Sequence, residues 1–223
     1  MNIKSITITM LTGVALLGAS LSANAVNFSF TGNFVQDNSV QLFNFSVGAS
    51  SPNVILETWS YAGGVNAAGQ SIARGGFDPI LAVFNSSGAL IGQNDDGGSP
   101  ARAIDLSGRA WDTYLSLGAL AAGSYTVAVM QYDNFALGPN LANGFTYDAA
   151  GNATFTEGLT SHTTGMFWDV SGSAYNSRDN HWAFDILNVE TAQTQGTPDG
   201  GSTMALFGMA LTGLALVRNR LRK

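Results

Sequence analysis

Between Val26 and Glu190 the chain has no sustained 3.6-residue apolar pattern; its apolar residues come in short runs broken every few positions by Gly, Asn, Asp or Ser. A helix-built domain needs longer periodic stretches than these, whereas short alternating runs bounded by turn formers are what half-buried strands require. Phe28 and Phe30 alternate with Asn27 and Ser29, and further runs lie at 42–47, 54–59, 80–84, 90–92, 114–117, 125–132, 167–170 and 182–189. Asn85-Ser86-Ser87-Gly88 is a hairpin loop with a glycine free to take positive φ, and 118–123 is a second glycine-bounded turn. About nine short strands predict an all-β fold, a single β-sandwich with jelly-roll-like connections spanning 26–190. Residues 134–162, where aromatics are scattered among Gly, Asn and Thr, are expected to be a long loop with at most one short strand, and 191–197 a linker.

Charge narrows what such a domain meets. All 15 acidic residues of the 223-residue chain fall between Asp37 and Asp199, against only Arg74, Arg102, Arg109 and Arg178 in the same stretch. That surface repels phosphates and anionic head groups and favours cations, which argues against nucleic acid as a partner. With no cysteine in the chain, disulfides, thiolate metal sites and a cysteine nucleophile are all excluded.

Both ends read as processing segments. Residues 1–25 carry Lys4, an apolar stretch over 6–17 and the small-x-small site Ala23-Asn24-Ala25, the pattern of a secretory signal peptide cut after Ala25. At the other end Thr197-Pro198-Asp199-Gly200-Gly201 precedes an uncharged run over 204–217, in which Thr212 is the only hydroxyl residue, and then Arg218, Arg220, Arg222 and Lys223. The run is shorter than the ~20 residues of a comfortable membrane span, so length alone also allows a core helix. The basic end favours a membrane helix with its C-terminus held at the cytoplasmic face.

This three-part order resembles the PEP-CTERM class of bacterial sorting signals, in the variant headed by Val-Pro-Asp-Gly-Gly or Val-Pro-Asp-Ser-Gly, with Thr197 standing where the variant has Val. The resemblance implies an exosortase-like partner acting at Pro198, Asp199 and Gly200, and a hydrophobic C-terminal helix that holds the protein only transiently at the inner membrane of a Gram-negative-type cell. Release to the cell surface or extracellular matrix would follow.

A second resemblance rests on Phe77-Asp78-Pro79-Ile80-Leu81-Ala82-Val83-Phe84, the 85–88 turn, Ala89-Leu90-Ile91-Gly92-Gln93-Asn94-Asp95-Asp96-Gly97, then Asp112-Thr113-Tyr114-Leu115, Gly123-Ser124-Tyr125-Thr126-Val127 and Trp182-Ala183-Phe184-Asp185-Ile186. Together these are similar to the bacterial pre-peptidase C-terminal-like β-sandwich family, which implies a non-catalytic exported module. From the residues themselves, Asn94, Asp95 and Asp96 crowd a strand end, and a hairpin brings Asp78 near them. Carboxylates so close repel unless solvent, hydrogen bonds or a cation intervenes, and calcium, with 6–8 oxygen ligands in flexible geometry, fits; Asp112 is a further candidate ligand. The alternative is a solvated turn whose side chains bond backbone amides.

Catalytic signatures are missing: the chain has no Gly-x-Ser-x-Gly, no His-Glu-x-x-His and no phosphate-binding Gly-x-x-x-x-Gly-Lys. Its two histidines, His162 and His181, stand near Ser161 and Asp179 and could pair with them, but such neighbours are common by chance and a triad is a spatial arrangement. The expectation is a non-enzymatic structural or adhesive protein of the envelope or extracellular polysaccharide. Two alternatives remain: a carbohydrate-binding module using Trp59, Tyr61, Trp111, Trp168, Tyr175 and Trp182, which equally read as core, and a hydrolase built on a carboxylate pair.

Overall fold

The uninterrupted apolar run Pro79–Asn85, buried on both faces, is the clearest guide to the architecture: it must lie in the middle of a layered structure. In the computed structural model, which describes residues 25–48, 53–160, 165–170 and 176–195, that run is β6, in a five-stranded sheet of order β11-β2-β9-β6-β7. Its strands are β2 (Gln41–Val47), β6, β7 (Leu90–Asn94), β9 (Gly123–Gln131) and β11 (Thr191–Thr194). A four-stranded sheet of order β1-β10-β3-β8 faces it, made of β1 (Val26–Asn33), β3 (Val54–Thr58), β8 (Tyr114–Gly118) and β10 (His181–Val189). Every strand pairing in the two sheets is antiparallel, and the chain passes from one sheet to the other at most of its connections. The protein is therefore all-β.

Alternation decides which side chains meet between the sheets. Phe43, Phe45, Leu81, Val83, Val127 and Val129 from one sheet pack against Leu56, Phe184 and Ile186 from the other, with Phe28 and Phe30 at the edge. Phe43 is the hub, with ring centroids 4.7 Å from Phe30, 4.7 Å from Phe184 and 5.7 Å from Trp182. Full burial of each such side chain contributes about 1.5–3 kcal/mol. A second cluster forms on the outer face of β6 and β9, where Ile80, Ala82, Phe84, Ala128 and Met130 are roofed by Ala136 and Phe145.

That roof revises the expectation for 134–162. The segment is pinned to the sheet by Leu90 N–H to Pro139 O and Leu141 N–H to Gly88 O, both 2.8 Å, and by Ala136 N–H to Gln93 Oε1 at 2.9 Å. It contains a 3₁₀ turn (Leu141–Asn143), capped reciprocally by Asn140 and Asn143, and a short helix α1 (Phe155–Thr160). Of its scattered aromatics, Phe135 and Phe145 pack on the outer cluster, while Tyr147 and Phe155 stack on each other at 4.0 Å.

Three further differences have local causes. Residues 167–170 form no strand: Phe167 takes φ 61° and stacks on Phe77 at 5.8 Å, leaving a lone bridge between Trp168 and Ser177. Thr191–Thr194, expected as linker, is instead β11, an edge strand paired with β2. The glycine-rich stretch after Tyr61 folds as a small hairpin of β4 (Gly64–Val65) and β5 (Ser71–Ile72). The expected signal helix and C-terminal hydrophobic helix fall outside the described residues, as do Ala23, Pro198, Asp199 and Gly200. Among the described residues no helix is long and apolar enough to cross a membrane.

Register sets the polarity of the domain. Val26 pairs with Val189 and Glu190 N–H reaches Ser46 O at 2.8 Å, so Val26 lies at the end where β2 finishes. The opposite end collects the start of β6, the finish of β7 and the finish of β9, through Leu81↔Asn94 and Pro79↔Gln131.

Candidate functional site

At that opposite end three neighbouring strands of one sheet deliver acids. Asp78 precedes β6, Asp95 and Asp96 follow β7, and Asp133 lies just beyond β9, where Tyr132 N–H donates to Asp78 O at 2.8 Å. Thr113 ties the arrangement to the other sheet, its hydroxyl lying 2.5 Å from Pro79 O and 2.7 Å from Asp95 O. Gly97 permits the close approach: a Cβ there would stand 2.2 Å from Arg102 Cγ and 2.8 Å from both Asp112 O and Tyr114 Cβ.

Asp78 is 5% exposed, and its Oδ1 has no hydrogen-bond partner. Burial, and then Asp96, Asp169, Asp95 and Asp112, push its carboxyl well above the usual range. Asp96 is pushed up to about 6 by burial and by Asp95, and Asp133 is raised by the same two causes. The Tyr132 phenol is raised by burial and by Asp133, Asp95, Asp78 and Asp96, so it shares the field of all four carboxylates. Among the described residues, no group of three or more acidic or histidine side chains is placed so as to hold a metal ion.

The other two sequence candidates do different work. Asp112, 2% exposed, accepts Thr58 Oγ1–H at 2.9 Å and Tyr61 N–H at 3.1 Å on Oδ1, and Ala62 N–H at 2.8 Å on Oδ2. Its carboxylate anchors the 58–62 corner, and its oxygens are engaged there. Asn94 uses Nδ2 to bridge Asp96 O at 2.6 Å and Tyr114 O at 2.9 Å, shaping the turn.

Of the six candidate sugar-stacking aromatics, the five that are described do not make one platform. Trp182 lies in the inter-sheet core, and Tyr61 is buried, with its hydroxyl 3.1 Å from Asp169 Oδ2 and the Arg178 guanidinium 3.6 Å over its ring. Arg102 covers the Trp59 ring at 4.1 Å and Arg109 covers Trp111 at 4.0 Å, while Trp168 is half-buried and Tyr175 is outside the described residues. His181 is occupied by Asp179 through Nδ1 and by Ala73 O at 3.1 Å through Nε2; His162 is outside the described residues.

Sequence reasoning missed Asp133, which no local motif marks, because only the long-range β6–β9 register brings it beside Asp78. It also missed Asp37, which accepts Thr156 N–H at 3.0 Å and Phe167 N–H at 2.6 Å, and the buried network of Arg178 with Asp105 at 3.0 Å and Asp169 at 3.1 Å. A buried arginine between two aspartates is a structural device with no sequence spacing of its own.

Beyond the last described residue, Gln195, the sequence itself identifies the next part. Residues 198–221 match the VPDSG-CTERM motif. The chain thus carries a PEP-CTERM-like C-terminal sorting signal, which marks it for export and for processing by an exosortase-type enzyme. No curated protein matches the chain.

Proposed function

We propose that this chain is an exported, non-enzymatic β-sandwich that serves a structural or adhesive role at the cell envelope or in the extracellular polysaccharide matrix, after removal of its N-terminal signal peptide and cleavage of its C-terminal tail. The observation that carries the reading is the sorting motif starting at Pro198, three positions after Gln195, and the Gln195 backbone N–H is still bonded to Leu42 O at 2.8 Å. A folded cargo thus ends almost directly at the processing signal. The transient inner-membrane hold and the Gram-negative-type host belong to the same proposal.

Resemblance to the pre-peptidase C-terminal-like family, with jelly-roll-like connections, supports an accessory role. The 77–97 block contains the β6–β7 hairpin and the Gly123-Ser124-Tyr125-Thr126 block opens β9. The non-catalytic reading is supported by the employment of the buried acids: Asp37, Asp105, Asp112, Asp169 and Asp185 each accept hydrogen bonds that hold loops or strands in place. Calcium from the extracellular medium is the cation this acidic domain would take.

A carbohydrate-binding role is the second reading, favoured by one observation. A groove of about 530 Å³ beside β2, β9 and β11 carries no charged residue; the amides and hydroxyls of Asn44, Asn85, Ser124, Thr126 and Gln193 line it together with the apolar Leu141. Retention of the purified protein on the producing cell's own polysaccharide tests the adhesive role. Retention supports it, and free passage with and without calcium overturns it. The hydrolase alternative would need activity lost on Asp95→Asn or Asp96→Asn while the fold survives.

A further inference from the structure

We infer that the end of the five-stranded sheet is a calcium site whose carboxylates are Asp78, Asp95, Asp96 and Asp133, with Asp133 contributed by the segment that roofs the outer face of the sheet. The inference deepens the proposed extracellular role by naming the ion's ligands; that role supplies the calcium, while the ligand set stands on the fold alone.

Four observations carry it. Backbone register puts the acids together: Leu81↔Asn94 places Asp95 and Asp96 beside the start of β6, and Pro79↔Gln131 with the Tyr132–Asp78 hydrogen bond places Asp133 there from the other side. Asp78 lies between the two flanking strands, nine-tenths buried, with Oδ1 unpartnered, an arrangement that leaves a buried carboxylate oxygen seeking a counter-charge. Among the described residues, three arginines are engaged with other acids: Arg102 pairs with Glu57, Arg74 with Asp105, and Arg178 with Asp105 and Asp169. The ligand atoms offered are all oxygens, which suits a hard cation, and their spread over three strand ends suits the larger and geometrically tolerant calcium over magnesium.

Closing on the ion requires rotation of the Asp95, Asp96 and Asp133 side chains about their own torsions toward Asp78, which packing holds in place. Asp133 immediately follows Tyr132, and the roof continues through Ala136 and Phe145. An ion shared between Asp78 and Asp133 therefore fastens the beginning of the roof to the β6–β7 hairpin, so calcium tightens the outer hydrophobic cluster as well as the turn.

The test is thermal unfolding of the full chain, purified in detergent, in calcium chloride against chelator, for wild type, Asp78→Asn, Asp133→Asn and Asp112→Asn, with calcium titrated calorimetrically into each. Wild type should melt several degrees higher with calcium, since an ion that binds only the native state raises its stability. Asp78→Asn should abolish the shift while melting in chelator no lower than wild type, because it relieves the crowding of Asp78 by the neighbouring acids Asp95 and Asp96. Asp133→Asn should weaken calcium binding about tenfold or more, as affinity follows ligand charge. Asp112→Asn should melt lower in both conditions and keep the full shift. A wild type indifferent to calcium overturns the site, and so does an undiminished shift in Asp78→Asn or Asp133→Asn, or its loss in Asp112→Asn. Failure of polysaccharide retention alongside an intact calcium shift would sink the adhesive role and leave the site standing.

Discussion

Asp112 and Thr58 hold each other in place in the buried corner between the sheets: Thr58 Oγ1–H donates to Asp112 Oδ1 at 2.9 Å, and the same hydroxyl oxygen accepts Thr113 N–H at 2.7 Å. The carboxylate also collects the N–H groups of Tyr61 and Ala62, so it organises the corner from which the β4–β5 hairpin departs. Replacing it strands several buried donors at once, each costing about 1–3 kcal/mol.

Asp112→Ala should therefore destabilise the protein by roughly 3–5 kcal/mol, as measured by denaturant unfolding. The loss should be the same in calcium and in chelator.

Trp182 lies flat over Gly32 on the neighbouring strand: a Cβ at Gly32 would stand 2.3 Å from the indole Cζ2. Gly32→Ala should displace the ring from its contacts with Phe34 and Phe43 and lower stability by about 1–3 kcal/mol, the cost of overpacking. A drop in melting temperature with a changed tryptophan emission would register it; a neutral result would place the ring elsewhere.

Asp105 should dominate part of the acid limb. Burial raises its carboxyl, but the Leu106 N–H, Arg178 and Ser107 outweigh that and hold it below the ordinary value. For a carboxyl depressed in the folded state, the stabilisation is complete above the unfolded value of about 3.9 and disappears as the pH falls through the folded value. Stability should thus fall on acidification below about pH 4, and Asp105→Asn should be less stable at neutral pH yet show a shallower acid limb. A parallel acid limb in the variant would count against the network.

The core strands were legible because burial on one face leaves a period of two: Phe28/Phe30 and Phe43/Phe45 announce their faces, and the unbroken 79–84 run announces two covered faces. β11 was not, because Thr191–Thr194 is an edge strand with little to bury and so carries no alternating apolar signal. The short helix α1 hides for a related reason, burying only Phe155, Thr156 and Thr160. Within the candidate site, Asp78, Asp95 and Asp96 were visible through the hairpin that joins them. Asp133 was not visible, since it arrives from 55 positions beyond Asp78 in sequence through strand pairing. Asp112 drew attention as an acid near acids, although its bonding partners, Thr58 and the Tyr61 and Ala62 amides, lie more than 49 residues away.

The amide-lined groove should be separable from the acidic end. Asn44→Ala with Gln193→Ala should abolish retention on the native polysaccharide if the groove binds it, with melting temperature and calcium response unchanged. Unaltered retention would remove the groove from consideration.

Mass spectrometry of the two ends of the protein recovered from the surface or matrix of its own host tests the central claim most directly. The expected mature chain begins at Val26 and ends near Pro198, Asp199 and Gly200. Surface protein that still carries Arg222 and Lys223 would contradict it.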